Sequence, residues 1–218
     1  LSHREPKTFA LMFDGGEGGE RRSVGDGARA VGKRAEASKT EFVWGPSARA
    51  TRGKIVDALG GAGDGSAMVT GTEDSSKMMR EPPSVEERKP ITTPLVTGIK
   101  AVDLLAPVGR GQCMLVSGEP GTGLSELGLT SIVAQKNTGV RCVYAALGAQ
   151  ASRVDEVAKR LEGDGAMSHT TIVTVDDEPS EAERYAATCT AFAIAKGARA
   201  LGEDVLLVLD DFTGLVNF

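Results

Sequence analysis

The residues that could do chemistry are concentrated in one short stretch. Gly118-Glu119-Pro120-Gly121-Thr122-Gly123-Leu124-Ser125 lies between an apolar run at 112–117 and a helical pattern at 126–135. The spacing is that of GxxxxGK(S/T), a loop whose backbone amides cradle phosphates at a helix N-terminus. Gly118 and Gly123 frame the loop, Gly121 and Thr122 complete it, and Ser125 stands where a hydroxyl binds Mg²⁺. The lysine position is Leu124. With 28 glycines in the chain, the spacing alone is weak. The strand pattern before it and the helix pattern after it favour a descended phosphate loop over an ordinary glycine-rich turn.

Leucine at that position has a calculable consequence. A lysine would give charge-assisted hydrogen bonds to the β and γ phosphates, worth roughly 1.5–3 kcal/mol each. Losing one costs about 10- to 100-fold in affinity, and more in phosphoryl transfer, which depends on charge stabilisation. Backbone amides and Ser125 remain to hold a nucleotide weakly. Further along, Asp210 and Asp211 end the apolar run VLLVLDD. An acid at such a strand end is what Mg²⁺ coordination requires beside a phosphate loop; the plainer alternative is a solvated strand terminus or helix cap.

Positioning these groups takes a particular architecture. Apolar strand patterns at 112–117, 140–147, 171–175 and 205–209 alternate with helical patterns at 126–135, 151–161 and 181–200. That alternation predicts an α/β fold, a parallel sheet covered by helices on both faces. The chain divides into a polar, glycine-rich arm at 1–40, short strands and turns with a linker at 41–93, and an α/β domain at 94–218. Trp44 is expected to pack in a small core of the middle section. The stretch 66–90, rich in Ser, Glu, Lys and Pro, reads as a linker or surface excursion. Because the sequence stops shortly after its fourth apolar strand, the domain is expected to be cut short.

Composition narrows the function. A net charge of −5 offers no basic footprint for nucleic acid. No apolar run approaches a transmembrane span. Aromatic residues make up 4% of the chain, so the core must be aliphatic and alanine-rich. Cys113, Cys142 and Cys189 are far apart in apolar segments and read as reduced core thiols. His3 and His169 are isolated, which argues against a histidine metal site.

A longer stretch carries a family resemblance. Residues 94–112, PLVTGIKAVDLLAPVGRGQ, resemble the approach to the phosphate loop in F-type ATP synthase alpha subunits. They separate this chain from AAA+ proteins, whose loop also reads GEPGTG. RGKIVDALGGAGDG at 52–65 resembles the segment joining the alpha subunit's N-terminal β-barrel to its nucleotide domain. CVYAALGAQASRVDEV, GAMSHTTIV and LLVLDD continue the likeness to the end of the chain. The resemblance implies a RecA-like P-loop domain preceded by a β-barrel remnant at 41–93.

The departures from the family pattern are informative. In the catalytic beta subunits a glutamate that positions the attacking water follows the glycine of the second strand. Here Ala149 follows Gly148; alpha subunits commonly carry glutamine there, and Gln150 is one place further on. The family's arginine finger and C-terminal helical domain have no counterpart in these 218 residues. The expectation is a non-catalytic structural or accessory subunit of a large organellar complex. Its partners would be other protein subunits, peripheral to a membrane complex, with no nucleic acid. It would carry no cofactor, or weakly bound ATP or ADP with Mg²⁺ at Ser125, Asp210 and Asp211. One alternative is a nucleotide sensor without turnover. Another is an active NTPase using a different cation, for which Lys100 and Arg110 have no established place. The short 135–140 connection resembles bacterial and chloroplast alpha subunits more than mitochondrial ones, which implies a chloroplast (stroma or thylakoid) ahead of the mitochondrial matrix.

Overall fold

The computed structural model describes residues 44–62, 72–78, 84, 86, 88–119, 121–148, 151–175, 179 and 181–213. Their elements run in the order β1 (Ile55–Val56), β2 (Pro94–Leu95), α1 (Lys100–Leu105), β3 (Val108–Gly109), α2 (Leu124–Ala134), β4 (Arg141–Ala146), α3 (Ala151–Gly163), β5 (Thr170–Thr174), α4 (Glu181–Ala200) and β6 (Val205–Asp210). Four strands form a parallel sheet in the order β1-β5-β4-β6, and β2 pairs antiparallel with β3 in a small separate sheet. The mixed α/β architecture with its parallel sheet and flanking helices is that of a P-loop nucleotide-binding domain.

The sheet is apolar on both faces because each strand alternates between two helical layers. Val143, Ala145 and Leu147 turn toward α4, where Ala187, Ala191, Ile194 and Ala198 meet them. Cys142, Tyr144 and Ala146 turn the other way, onto Leu129 and Ile132 of α2 and Val154, Val157 and Leu161 of α3. All six residues of β4 are buried. A fully buried aliphatic side chain contributes roughly 1.5–3 kcal/mol. Few aromatics are needed, because alanines on α4 let it lie close against the sheet. Gly128 serves the same end on α2: a Cβ there would stand 2.8 Å from Val208 Cγ1 of β6.

Residues 44–62 wrap the domain and insert β1 beside β5, pairing Ile55 with Ile172 and Val56 with Val173. Ile55 and Val56 thus add a short edge strand to the main sheet. Asp74 fastens the wrap. Its carboxylate accepts hydrogen bonds from Ser47 Oγ (2.5 Å), Arg49 N (2.8 Å) and Thr72 Oγ1 (2.6 Å). Burial alone would raise the Asp74 pKa, but these donors outweigh it and hold the group at about 2. The chain here passes so near α4 that a Cβ on Gly197 would lie 2.0 Å from the Asp74 carbonyl oxygen.

Three expectations are corrected. Residues 112–117 do not form a strand: 112–119 are exposed coil, and 113–118 make no backbone hydrogen bond to the described residues. An apolar run specifies residues that tolerate burial, but a strand also needs a ladder partner, and among the described residues β6 pairs with β4 alone. Cys113 is therefore exposed rather than in the core, whereas Cys142 is buried and its thiol is pushed up to about 12 by burial. Trp44 is 41% exposed, with Lys77 Nζ 6.0 Å from its ring centroid, and anchors no small core. The short helix α1 and the β2–β3 pair had no signal strong enough to be expected. The arm at 1–40 and most of 66–90 lie outside the described residues.

Two measurements test this account. Asp74 has a folded pKa below the roughly 3.9 of an unfolded chain. Its stabilisation is therefore complete above about pH 4 and fades as pH falls toward 2. The difference in urea midpoint between wild type and Asp74→Asn should be large at pH 6 and shrink on acidification; a pH-independent difference would refute the role. Gly197→Ala adds helix propensity worth about 1 kcal/mol. The clash with a backbone oxygen should exceed that, giving a net loss of about 1–3 kcal/mol in the same assay.

Candidate phosphate-loop site

Gly121–Gly123 lead into the N-terminus of α2. Gly121 and Gly123 adopt φ of 82° and 91°, a left-handed conformation that glycine takes without strain. Thr122 closes the turn, donating from its backbone N (3.3 Å) and Oγ1 (2.7 Å) to the Glu119 carbonyl. Gly123 is the N-cap of α2 and offers no side chain to its first amides. Those amides are orphan donors with the positive end of the helix dipole behind them. Ser125, in the first turn, is half-buried, and its hydroxyl makes no hydrogen bond to the described residues.

Leu124 packs back toward the first glycine of the loop. A Cβ built on Gly118 would lie 3.4 Å and 4.0 Å from the two Leu124 δ-carbons, and 3.1 Å from Thr122 Oγ1. The leucine side chain thus folds back over the start of the loop. An apolar group there supplies no charge and takes no part in hydrogen bonding to a phosphate. It cannot repay the desolvation of a phosphate oxygen placed against it.

The acidic pair lies at the C-terminal end of β6. Tyr144 Oη donates to the Asp210 carboxylate, so one candidate Mg²⁺ ligand is already engaged. Burial and that hydrogen bond push the tyrosine pKa up, so it stays a donor. Asp211 turns toward Gly148, where a Cβ would lie 3.3–3.4 Å from its carboxylate atoms, and its Oδ1 accepts from Thr213 N (3.2 Å). Helix α2 packs on β6, so Ser125 and the acidic pair belong to neighbouring elements. No hydrogen bond joins them among the described residues. Nor do the described residues include a group of three or more His, Cys, Asp or Glu able to hold a metal ion. Ala149 and Gln150, the positions compared with the catalytic carboxylate, lie outside the described residues. Lys100, at the start of α1, and Arg110, which pairs with Asp204, take no part in the loop.

Tested against a nucleotide, the site fits in part. The glycine turns, the free amides of α2 and the Ser125 hydroxyl suit a phosphate. The side chain over Gly118 does not, and a β–γ phosphate pair would meet no lysine. The signals sequence reasoning missed are Tyr144, whose period-2 position facing Asp210 was readable only once β4 and β6 were known to be neighbours, and the inward fold of Leu124.

Comparison with known proteins agrees with this geometry. Residues 98–217 match the nucleotide-binding domain of the ATP synthase alpha/beta family. The chain is similar to the ATP synthase subunit alpha of Dichelobacter nodosus (strain VCS1703A), at 39% identity over 168 residues, 77% of this chain and 33% of that protein. It is similar to that of Hydrogenovibrio crunogenus (strain DSM 25203 / XCL-2), at 40% over 161 residues, 74% of this chain and 31% of that protein. It is also similar to ATP synthase subunit alpha 1 of Methylococcus capsulatus (strain ATCC 33009 / NCIMB 11132 / Bath), at 36% over 194 residues, 89% of this chain and 36% of that protein. The chain spans about a third of the length of the curated relatives it matches.

Leu124→Lys tests the reading of the loop. A lysine at this position restores the missing charge, and ADP affinity measured by calorimetry should rise about 10- to 100-fold. An unchanged affinity would mean that the loop is not shaped for phosphates.

Proposed function

We propose a role for this chain, which belongs to the ATP synthase alpha/beta family: a non-catalytic, accessory subunit of a larger protein assembly. The observation that carries it is the Leu124 side chain lying over the loop at Gly118. Phosphoryl transfer depends on positioned positive charge around the transferring group, and an apolar group stands where that charge belongs. Asp210 held by Tyr144, and Ala149 at the position compared with a catalytic carboxylate, support the same reading.

An assembly role draws support from the surface. Leu104, Leu105 and Leu115 are 79%, 85% and 81% exposed. With Ile91, Val96, Met114 and Val116 they put exposed apolar side chains along 91–116. Such side chains in close sequence mark an interaction surface more often than free solvent exposure. The free side of β6 offers backbone groups for pairing. The partners in this reading are other protein subunits; no helix among the described residues is long and apolar enough to cross a membrane, and the place on the assembly is peripheral. The compartment in this reading is an organelle of bacterial ancestry, the chloroplast ahead of the mitochondrion, on the strength of the short 135–140 connection.

A second reading, a nucleotide sensor without turnover, is favoured by one feature. The α2 amides and Ser125 hydroxyl remain uncommitted, so weakly held ATP or ADP with Mg²⁺ fits the loop without hydrolysis.

The purified chain should hydrolyse ATP no faster than a buffer blank. Alone at micromolar concentration it should elute as a self-associated species, and cross-linking in its native setting should join 91–116 to another protein. Hydrolysis abolished by Ser125→Ala would overturn the non-catalytic reading. A monodisperse monomer that unfolds cooperatively would overturn the accessory one and leave the sensor.

A further inference from the structure

The rim of the sheet opposite the phosphate loop carries its own charged cavity. It encloses about 270 Å³ and is lined by Ala48, Arg49, Arg52, Arg141, Leu201 and Glu203. Arg141 is the first residue of β4, and Leu201 and Glu203 lead into β6, so the cavity opens at the N-terminal ends of the parallel strands. Asp210 and the loop lie at the other end.

Arg141 is only 2% exposed. Its Nη2 donates to the Ala48 carbonyl (2.8 Å) and to Thr171 Oγ1 (2.8 Å). Its buried Nε has no hydrogen-bond partner among the described residues. No carboxylate among the described residues lies within ion-pair distance of it. A guanidinium this deep normally has one, because an uncompensated buried charge is costly. Burial, with the nearby Arg52 charge, lowers its pKa to about 10 against the opposing pull of Glu203, which still leaves it protonated near neutral pH. The other two arginines are only lightly committed. Arg52 meets Glu203 at 3.8 Å and donates Nε to the Ser168 carbonyl (3.2 Å). The Arg49 side chain makes no hydrogen bond or ion pair with the described residues. Three guanidinium groups against one carboxylate leave the lining with an excess of two positive charges.

We propose that this cavity binds a phosphate-type oxyanion, held by Arg141 from its floor and by Arg49 and Arg52 from its mouth. The planar fork of each guanidinium matches two oxygens of a tetrahedral anion, and a dianion would balance the excess charge. The volume falls just below the roughly 300–1,000 Å³ of sites for drug-sized ligands, which selects a small anion or a terminal phosphate group. The site is independent of the phosphate loop and of the accessory role proposed above.

The test uses the full chain and inorganic phosphate, with acetate and chloride at matched ionic strength. Because Arg141 is buried and its replacement would disturb folding, the variants are at the exposed Arg49 and Arg52. Phosphate should raise the thermal unfolding midpoint in a saturable way, while acetate and chloride should not. Arg49→Gln or Arg52→Gln should each weaken the apparent dissociation constant roughly tenfold, the size of one charge-assisted hydrogen bond, and the double variant should abolish saturation. Lys159→Gln, an equal charge loss on the exposed side of α3, should leave it unchanged. Stabilisation by acetate or chloride equal to that by phosphate, an unaltered response in the double variant, or an equal loss in Lys159→Gln would each overturn the proposal.

Discussion

Strand β4 is the constraint on which the rest of this molecule depends. It is hydrogen-bonded along both edges, to β5 and to β6, and buried on both faces. Its side chains must therefore be apolar or fully satisfied in two opposite layers at once. Tyr144 meets that demand by giving its hydroxyl to Asp210, whereas Arg141 meets it only in part, giving Nη2 to Ala48 and Thr171 and leaving Nε without a partner among the described residues. These two polar residues mark the two rims of the sheet, and the chemistry of the molecule is divided between them. The rim at the strand C-termini carries the glycine loop and paired aspartates. The rim at the N-termini carries the arginines.

The helices take their character from the same strand. Helix α4 is built on Ala186, Ala187, Ala191, Ala193 and Ala198, small enough to sit against Val143 and Ala145 and to admit the 44–48 wrap at its outer side. The glycines at 128 and 197 mark where helices come too close to a neighbour for any side chain. Packing of this kind transmits position faithfully, because a dense interior leaves little slack. It also explains why the loop keeps left-handed glycine turns beside a leucine: the fold needs α2 seated on β6 whether or not a phosphate is ever bound.

Much of this was legible in the sequence, and the failures have identifiable causes. The helices at 124–134, 151–163 and 181–200 and the strands β4, β5 and β6 announced themselves because each is bounded by glycine or polar turns and has a clear period. The loop position and the acidic pair followed from those elements. The run 112–117 has the same composition as a buried strand yet makes no ladder, since hydrogen-bond partners are a property of the neighbours. Trp44 and Cys113 were assigned to a core by residue type, although exposure is set by what lies opposite. The Asp74 clamp and the Arg141 cavity join residues at 47–49, 74, 141 and 203, and no local pattern connects such distant positions.

The pairing of β1 with β5 also has a temporal side. Ile55 and Val56 leave the ribosome long before Ile172 and Val173 exist to receive them. At about 5–20 residues per second, that wait is on the order of ten seconds. Throughout it the strand made first has no seat, because the strand it pairs with is β5. A longer apolar strand would spend that interval as a template for mispairing. Two residues, between Lys54 and Asp57, fall well short of the six- or seven-residue stretch that cross-β association needs, so the nascent chain carries its unfinished edge in a form other chains cannot readily use.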